Sequence, residues 1–546
     1  MNKSCLRPQL GPDPKPLRRG IVLVLVMIVV VMISLAGFGF VASMSNENKA
    51  VHLRGEQLQM ENAIASAEEF LKQYLQRSQS TEPSSQSLST AQSTISASST
   101  DDEETLMRGV VVADEEGPLC RVRFSVMAPH YDETGTSGWR YGLERESTRL
   151  DLHAVMEWEY RRPGTGRLAL MALPEMTEAV ADAILDWMDR DVVPRQSGAE
   201  ADYYATQNPP YSPRNGIPDS LEELLLVKGV TRSALFGHDA NQNHRLDLDE
   251  QSSTSVSPAR DASGDSSLPW SELLTLFSGE RNQSRDGQPR INLNQPDLGQ
   301  MHRQMTQAFD VKVATYAALY RQFGPYMGVG TTVDVGTVKV NFVNPPKFFL
   351  PSPLDLLQSR VMVPVAPGIF SVVGSPFPSD REKLQALLGI LYDRTTVSDA
   401  PVLKGRVNVN LAPPEVLRAI PGFDKALADQ IVTSRGAGSK RDRRHDDHPC
   451  WLFTENLINL DKMKAFFPYL TVGGDVYRGQ IVAFSEASRL SQRVEVVLDA
   501  SSRPARRLFW KDLQVLGRGY PWDVLDTPGG ISTSPNGASN ATSFSY

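Results

Sequence analysis

A long run of apolar residues lies near the start of the chain. No charged residue occurs between Arg19 and Glu47, and the apolar part from Ile21 to about Ser43 has roughly the 20 residues that cross a bilayer as a helix. A secretory signal has a shorter apolar core, of roughly 7–15 residues, followed by a cleavage site. Residues 1–20 carry five basic side chains and one acidic side chain, and a basic flank keeps its end of a membrane helix in the cytoplasm. The run therefore predicts a single-pass membrane helix.

The helical pattern continues beyond the membrane segment. Apolar residues recur at intervals of four and three, which marks one face of a helix, at Met60, Ile64, Ala67, Leu71 and Tyr74. The Ser-rich stretch after Arg77 has too few apolar residues to fold alone. We interpret that stretch as a flexible linker.

The order of these features resembles the prepilin class, which has a basic leader, a glycine, an apolar helix and an amphipathic continuation. The resemblance implies cleavage by a membrane peptidase after Gly20, so that Ile21 becomes the first mature residue. Prepilins normally have glutamate as the fifth mature residue, where its carboxylate pairs with the terminal ammonium of a neighbouring subunit. This chain departs from the class at that position, which is Leu25.

Alternating apolar and polar residues predict strands in two distant parts of the chain. Residues 108–129 read as two short strands around a turn, and residues 478–501 as two runs separated by a polar turn. We expect the late strands to join the early ones in one sheet, with the intervening residues forming an inserted helical domain. The predicted fold class is therefore α+β.

Charge and composition narrow the function. The 546 residues include 56 basic and 64 acidic side chains, for a formal net charge of −8, and the chain after the leader carries −12. Such an acidic body argues against a general hold on nucleic-acid phosphates. The sequence has no phosphate-binding glycine loop, no G-x-S-x-G elbow and no H-E-x-x-H helix. We therefore expect no enzyme activity.

Three cysteines, Cys5, Cys120 and Cys450, are too few for a disulfide framework. Cys120 and Cys450 pair if the body is extracytoplasmic, or they remain two buried thiols.

An ordered set of uncommon motifs occupies residues 179–230. They are Asp186-Trp187-Met188-Asp189-Arg190-Asp191, Gly198-Ala199-Glu200 with Tyr203-Tyr204, Pro209-Pro210-Tyr211, and Leu221-Glu222-Glu223-Leu224 with Lys228-Gly229-Val230. This segment closely resembles the central signature of the general secretion pathway protein K family, the minor pseudopilins of type II secretion. Residues 405–435 resemble a second segment of that family. Its members typically lack the fifth-position glutamate, which agrees with Leu25.

The resemblance implies a structural subunit at the tip of a periplasmic pseudopilus. Its expected partners are the prepilin peptidase, other minor pseudopilins and the secretion assembly platform. It also implies a single-pass inner-membrane protein with a periplasmic body, and a pilin-like long helix packed on an antiparallel sheet. The alternative is a membrane-tethered binding module whose helical hairpins hold DNA or another ligand, although the acidic body argues against nucleic acid.

Two segments predict helix-hairpin-helix units. Pro413 and Pro414 begin one helix, Pro421-Gly422 turns the chain, and a second helix follows. Aligning residues 222–230 with residues 415–423 places Leu224 on Leu417 and Gly229 on Gly422, which suggests a repeat. The cations available to hold a nucleic-acid backbone are Arg418, Lys425 and Arg435.

Residues 239–250 have the spacing of an EF-hand calcium loop. Oxygen ligands at positions 1, 3, 5, 7, 9 and 12 surround one ion, and these positions hold Asp239, Asn241, Asn243, the Arg245 carbonyl, Asp247 and Glu250. Position 6 is usually glycine, but it is His244 here, and a left-handed histidine is uncommon. We predict a calcium site, with a solvated acidic turn as the alternative.

The protein K resemblance also implies calcium in the central acidic loop. Its oxygen donors are Asp186, Asp189, Asp191, Glu200 and Asp202, and the alternative is surface charge. A third candidate, for zinc, is the cluster His445, Asp446, Asp447, His448 and Cys450, but it has no second ligand pair, and a polar loop is favoured.

The predicted organisation has nine segments. They are a leader (1–20), the pilin helix (21–78), a Ser-rich linker (79–106), the first part of the β head (107–170), an inserted helical domain with calcium loops (171–310), a family-divergent insertion (311–404), a second helix-hairpin-helix segment (405–466), strands completing the head (467–525) and a disordered tail (526–546).

Overall fold

The structure is a computed structural model, and it describes residues 19–78, 100–114, 121–131, 137–247, 250, 268–436, 443–486 and 488–525. Its α-helices are α1 (Arg19–Ser78), α2 (Thr100–Met107), α3 (Leu152–Arg161), α4 (Thr165–Leu170), α5 (Glu178–Met188), α6 (Ala201–Tyr204), α7 (Arg232–Phe236), α8 (Trp270–Leu273), α9 (Leu298–Ala308), α10 (Val311–Phe323), α11 (Arg381–Arg394), α12 (Pro414–Arg418), α13 (Lys425–Arg435), α14 (Trp451–Thr454), α15 (Leu460–Phe466) and α16 (Trp522–Leu525).

The strands are mostly short. They are β1 (Val110–Asp114), β2 (Arg121–Tyr131), β3 (Ser137–Tyr141), β4 (Glu144–Arg145), β5 (Leu150–Asp151), β6 (Leu274–Thr275), β7 (Glu280–Arg281), β8 (Ile291–Asn292), β9 (Thr332–Val333), β10 (Arg360–Ala366), β11 (Ile369–Gly374), β12 (Thr395–Thr396), β13 (Val402–Leu403), β14 (Val407–Asn408), β15 (Leu470–Thr471), β16 (Val476–Ser485), β17 (Ser491–Asp499) and β18 (Arg506–Asp512).

The chain divides into two compact units, residues 1–62 and residues 63–546. The first unit contains most of α1, and this helix is long and apolar enough to cross a membrane by length and composition. The helix ends at Ser78, as the sequence predicts. A single apolar helix of this kind agrees with a membrane anchor.

The main sheet of the second unit is antiparallel and is built from distant sequence. Its order is β1-β2-β16-β17-β18, with β3 paired to β2 and β4 paired to β16. Ile481 of β16 lies opposite Val126 of β2 and Val494 of β17, and all three side chains are fully buried. The late strands therefore join the early ones, as the α+β prediction requires.

The second half of α1 packs on this sheet. Leu71 is fully buried, and the ring of Phe70 lies 5.7 Å from the ring of Phe124 on β2. At the edge of the sheet, Arg507 of β18 donates to Glu68 at 2.7 Å. A long N-terminal helix on an antiparallel sheet is the pilin-like arrangement that the sequence predicts.

The inserted residues share one hydrophobic core. Buried apolar side chains form a continuous cluster from Leu150 to Val472, which includes Trp187, Tyr316 and Leu417. The predicted segments 171–310, 311–404 and 405–466 thus pack together. The cluster also contains α3 and α4, so residues 152–170, which the sequence assigned to the β head, are helical and contribute to the inserted domain.

Two further segments differ from the predictions. The linker was predicted to reach residue 106, but α2 begins at Thr100, and Met107 at its end is fully buried. In the first predicted hairpin, the segment Leu221–Leu226 is a 3₁₀ helix rather than an α-helix. Gly229 and Gly422 both have positive φ, at 81° and 89°. The helix-hairpin-helix repeat remains a prediction.

Candidate metal centre

The acidic loop that follows α5 is held by an arginine. Arg195 Nη1 lies 2.6 Å from Asp186 Oδ1 and 2.5 Å from Asp189 Oδ2, and both aspartates are buried. The backbone amides of Arg195 and Ala199 also donate to Asp186, at 3.1 and 2.9 Å. Asp186 therefore ties the end of α5 to the returning loop.

The loop passes so close to α5 that one position excludes a side chain. A Cβ atom on Gly198 would lie 1.8 Å from Asp186 Oδ2. Only glycine permits this approach, and the approach carries Glu200 back towards the aspartates.

Three carboxylates converge at this point. Asp189, Asp191 and Glu200 each offer one oxygen, and these oxygens all lie within 4.8 Å of one another. Two ligand oxygens on opposite sides of a calcium ion are at most about 5 Å apart, because each Ca–O distance is 2.3–2.6 Å. The spacing of the three oxygens therefore fits one divalent cation.

Two of the three carboxylates have oxygens without protein partners. Both carboxylate oxygens of Glu200 and Oδ1 of Asp189 are buried without a hydrogen bond among the described residues. Burial, together with the charges of Asp186, Asp189 and Asp191, raises the pKa of Glu200 to about 7. Unpaired buried oxygens are costly, and a cation would satisfy them.

The remaining predicted ligands of this loop are not in the group. Asp186 is committed to Arg195 and the two backbone amides. Asp202 is exposed on α6, and the group of mutually close oxygens does not include it. The five predicted donors therefore reduce to three in the described part of the chain.

The EF-hand-like loop is organised largely by its own side chains. The side-chain amides of Asn241 and Asn243 both donate to Asp247 Oδ2, at 2.9 and 3.0 Å. Glu250 accepts from the backbone amides of Ala240, at 2.9 Å, and Asp247, at 3.0 Å. The carboxylates of Asp239, Asp247 and Glu250 do not form a mutually close group.

Two features of this loop agree with a metal ligand arrangement. Oδ1 of Asn241 is buried and has no hydrogen-bond partner among the described residues. His244 has φ of 65°, so the left-handed backbone of position 6 is kept. Burial raises the pKa of Asp239 to about 6. Arg245 is exposed, and residues 248–249 lie outside the described residues.

The histidine at position 6 has a partner that glycine would lack. His244 Nδ1 lies 2.7 Å from Glu272 Oε1, and Glu272 also contacts Arg149 at 3.1 Å. This contact with α8 accounts for a histidine in a left-handed turn.

The loop also binds the main sheet. Arg493 Nη2 donates to the Asn241 carbonyl at 2.5 Å, and Gln480 Nε2 donates to the Gln242 carbonyl at 2.8 Å. The amide of Asn243 donates to the Gly519 carbonyl at 2.7 Å. Sequence analysis did not identify Arg493 and Gln480. They lie more than 230 residues from this loop along the chain, and only the folded sheet brings them into contact with it.

The histidine and cysteine cluster does not form a close ligand group in the described residues. His445 stacks on Trp451 with ring centroids 4.1 Å apart, and its Nε2 lies 2.6 Å from Glu455 Oε1. Cys450 is a buried free thiol, and burial raises its pKa. Cys120 lies outside the described residues, so its pairing with Cys450 remains a prediction.

Two of the three cations predicted for nucleic-acid contact are used inside the protein. Arg418 donates to Glu415 at 2.9 Å, and Arg435 donates to the carbonyls of Val409 and Ala412, at 3.2 and 2.7 Å. The binding-module alternative gains no support from these contacts.

The predicted processing site, between Gly20 and Ile21, lies at the start of α1. Residues 1–18 lie outside the described residues, as do the side chains of Gly20 and Ile21. The backbone is helical from Arg19, and Leu25 is 60% exposed on this helix.

Comparison with known proteins places the acidic loop in a family. Residues 166–235 match the family model described as type II secretion system (T2SS), protein K. Among solved structures, the chain is similar to one described as the GspK-GspI-GspJ complex from the enterotoxigenic Escherichia coli type 2 secretion system, with 12% identity and a TM-score of 0.32. That match covers 85% of this chain and 98% of the other. A comparison with curated proteins found no match.

The matched residues contain α5, the three-carboxylate loop and the turn at Gly229. The remaining features, a long apolar N-terminal helix and an antiparallel sheet assembled from both ends of the chain, are those of a pilin-like fold. On these grounds residues 166–235 are similar to protein K of the type II secretion system, within a chain whose fold is pilin-like.

Proposed function

We propose that this chain caps the tip of a periplasmic pseudopilus and assembles there with other minor pseudopilins. The observation that carries the proposal is the match of residues 166–235 to protein K. In this proposal a prepilin peptidase cuts between Gly20 and Ile21, α1 anchors the chain in the inner membrane, and the second unit lies in the periplasm.

Leu25 supports the place at the tip. A subunit with glutamate at this position neutralises the terminal ammonium of the subunit above it, and an unpaired charge within a bilayer is costly. Leucine offers no such partner. This chain therefore accepts no subunit above itself, while its own ammonium pairs with a subunit below.

We also propose that calcium stabilises the inserted domain. Asp189, Asp191 and Glu200 would hold the ion, since their oxygens are close together and those of Glu200 lack partners. The EF-hand-like loop is a second candidate, supported by the buried Oδ1 of Asn241. The expected role is structural rather than catalytic, because a calcium ion with carboxylate ligands ties the loop to α5.

Mass spectrometry of the mature N-terminus tests the processing step. In cells with an active prepilin peptidase the chain should begin at Ile21, and the Gly20→Arg variant should retain Met1. Co-purification of tagged chain with other minor pseudopilins tests the assembly step. A wild-type chain that still begins at Met1, or that purifies without them, contradicts the proposal.

A further inference from the structure

The hairpin β10–β11 ends in an apolar tip that the described part of the chain does not cover. Residues 362–370, MVPVAPGIF, contain no polar side chain. Every residue from 364 to 370 is exposed, including Val365 at 50%, Ile369 at 57% and Phe370 at 58%. The short strand β9 pairs only with Val372 and Val373, at the base of the hairpin.

Both faces of this hairpin are mainly apolar, with Ser371 on the inner face and Arg360 at the base of the outer face. Val361, Val363 and Val373 point into the core and are buried. The opposite face presents the cross-strand pairs Met362–Val372 and Pro364–Phe370. A strand with one solvated face normally alternates apolar and polar residues, whereas apolar residues on both faces indicate that both are covered. The outer face and the tip therefore require a partner.

Two prolines argue against strand addition as the mode of covering. β10 is an edge strand, and Pro364 removes a backbone donor from it. Pro367 removes another at the turn, where Gly368 has φ of 75°. With fewer unsatisfied donors, the tip is suited to an apolar medium that offers no hydrogen-bond partners.

The position of charge favours a lipid surface. Arg360 is the only charged residue between 360 and 374, and it lies on the outer face in line with Met362 and Pro364. Strands rise about 3.4 Å per residue, so Arg360 is about 14 Å below the Pro364–Phe370 pair. If the tip enters the bilayer interface to a depth of about 5–10 Å, the turn is buried in the lipid up to about the Pro364–Phe370 pair. The guanidinium of Arg360 then lies near the lipid head groups.

We propose that the tip Met362–Phe370 inserts into the interface of a phospholipid bilayer with anionic head groups. The apolar side chains supply the insertion, and Arg360 supplies attraction to the lipid phosphates. This contact is separate from the membrane helix α1, and it does not depend on the place of the chain at a pseudopilus tip.

A fluorescent probe at the turn tests the proposal in the full chain. Ala366→Cys is labelled with an environment-sensitive dye in a Cys5→Ser, Cys120→Ser background, because Cys450 is buried. The protein is held by α1 in phosphatidylcholine nanodiscs, in nanodiscs containing phosphatidylglycerol, or in the former with phosphatidylglycerol vesicles added. We expect a blue shift and quenching by spin-labelled lipid wherever phosphatidylglycerol is present. A signal in the nanodisc itself indicates the same bilayer, and a signal only with vesicles indicates a second one.

Variants separate the two contributions. Ile369→Ser with Phe370→Ser should reduce the lipid-bound fraction by about tenfold or more, since two apolar side chains lose their burial. Arg360→Gln should weaken binding to phosphatidylglycerol several-fold and leave binding to phosphatidylcholine unchanged. The matched control is Val515→Ser, which changes a 96% exposed apolar residue elsewhere and should have no effect.

Three results would overturn the proposal. The first is a water-like emission with full quenching by aqueous iodide in every lipid mixture. The second is a blue shift that needs an added pseudopilin and persists without phosphatidylglycerol, which would assign the tip to a protein partner. The third is equal lipid binding by the double serine variant, provided that its circular dichroism and melting match those of the parent.

Discussion

Substitution of Glu200 by glutamine should have opposite effects on stability with and without calcium. The side chain is buried among Asp186, Asp189 and Asp191, and its oxygens have no hydrogen-bond partner among the described residues. Without metal, a negative charge at this position is unfavourable. With metal, the same charge is a ligand. Glu200→Gln removes both effects and leaves the side-chain shape nearly unchanged.

The magnitude follows from the raised pKa. The carboxyl of Glu200 has a pKa of about 7 in the folded state and a lower pKa in the unfolded state. At a pH above the unfolded-state pKa, ionisation of this carboxyl therefore lowers the free energy of unfolding. Each pKa unit corresponds to about 1.4 kcal/mol. Because Asp191 is exposed and water screens the loop, the full shift overstates the cost, and about 1–2 kcal/mol is expected at pH 8. The metal-free variant should be more stable than wild type by that amount.

Calcium should make wild type more stable than Glu200→Gln, which reverses their order of stability without metal. An ion that binds only the folded state adds about 2.7 kcal/mol at a concentration 100 times its dissociation constant. Wild type should gain this stabilisation at the three-carboxylate loop, and Glu200→Gln should lose most of it because one of three ligands is neutral. Any contribution of the EF-hand-like loop is common to both proteins and cancels in the comparison.

Urea unfolding in EGTA and in saturating calcium measures both effects. Trp187 is buried at the end of α5, so its fluorescence reports on this region. Asp202→Asn is the matched control, because Asp202 is a nearby exposed carboxylate outside the close group and should behave as wild type. The reasoning is refuted if Glu200→Gln is less stable than wild type in EGTA, or gains as much from calcium.

Two further substitutions test the surrounding structure. Gly198→Ala places a Cβ 1.8 Å from Asp186 Oδ2, so it should lower the free energy of unfolding in urea by about 1–3 kcal/mol and weaken the response to calcium. The control Gly216→Ala adds a Cβ in open space and should lower stability little. Equal losses of stability in the two variants would contradict this account. Arg478→Met removes the cation buried between two glutamates and should cost about 3–5 kcal/mol. Burial raises the pKa of Glu146, but Arg478 and Arg149 outweigh burial and hold this pKa below its usual value. The ionised carboxylate therefore stabilises the folded state at pH values above the usual pKa. This stabilisation is lost as the pH falls through the lowered pKa. Melting temperature against pH should therefore drop on the acid side in wild type and drop less in Arg478→Met; a parallel drop would refute the pairing.

Local sequence patterns were reliable where one interaction dominates. An apolar run as long as that of α1 is compatible with few structures other than a helix. Its amphipathic continuation places Leu71 on the buried face, as predicted. The helix after Pro413 and the turn at Gly422 were likewise readable, because proline and glycine restrict the backbone directly. The 3₁₀ conformation of Leu221–Leu226 was harder to predict, because the spacing of its apolar residues is compatible with either an α-helix or a 3₁₀ helix.

The metal ligands were less predictable than the helices. Five acidic residues lie in the loop, and their order does not reveal that Arg195 takes Asp186 or that Asp202 is exposed on α6. Likewise, nothing near His244 in sequence indicates Glu272 as its partner, because 28 residues separate them.

The sequence by itself determined the long apolar N-terminal helix, the two sets of strands and the likeness of the central segment to protein K, because these depend on local periodicity and on residues adjacent in the chain. Only the tertiary structure decided which carboxylates meet, which arginines are already paired and which apolar surface remains uncovered. Those outcomes depend on contacts between residues far apart in the chain. Burial also sets the free energy of each charge, and burial exists only after folding.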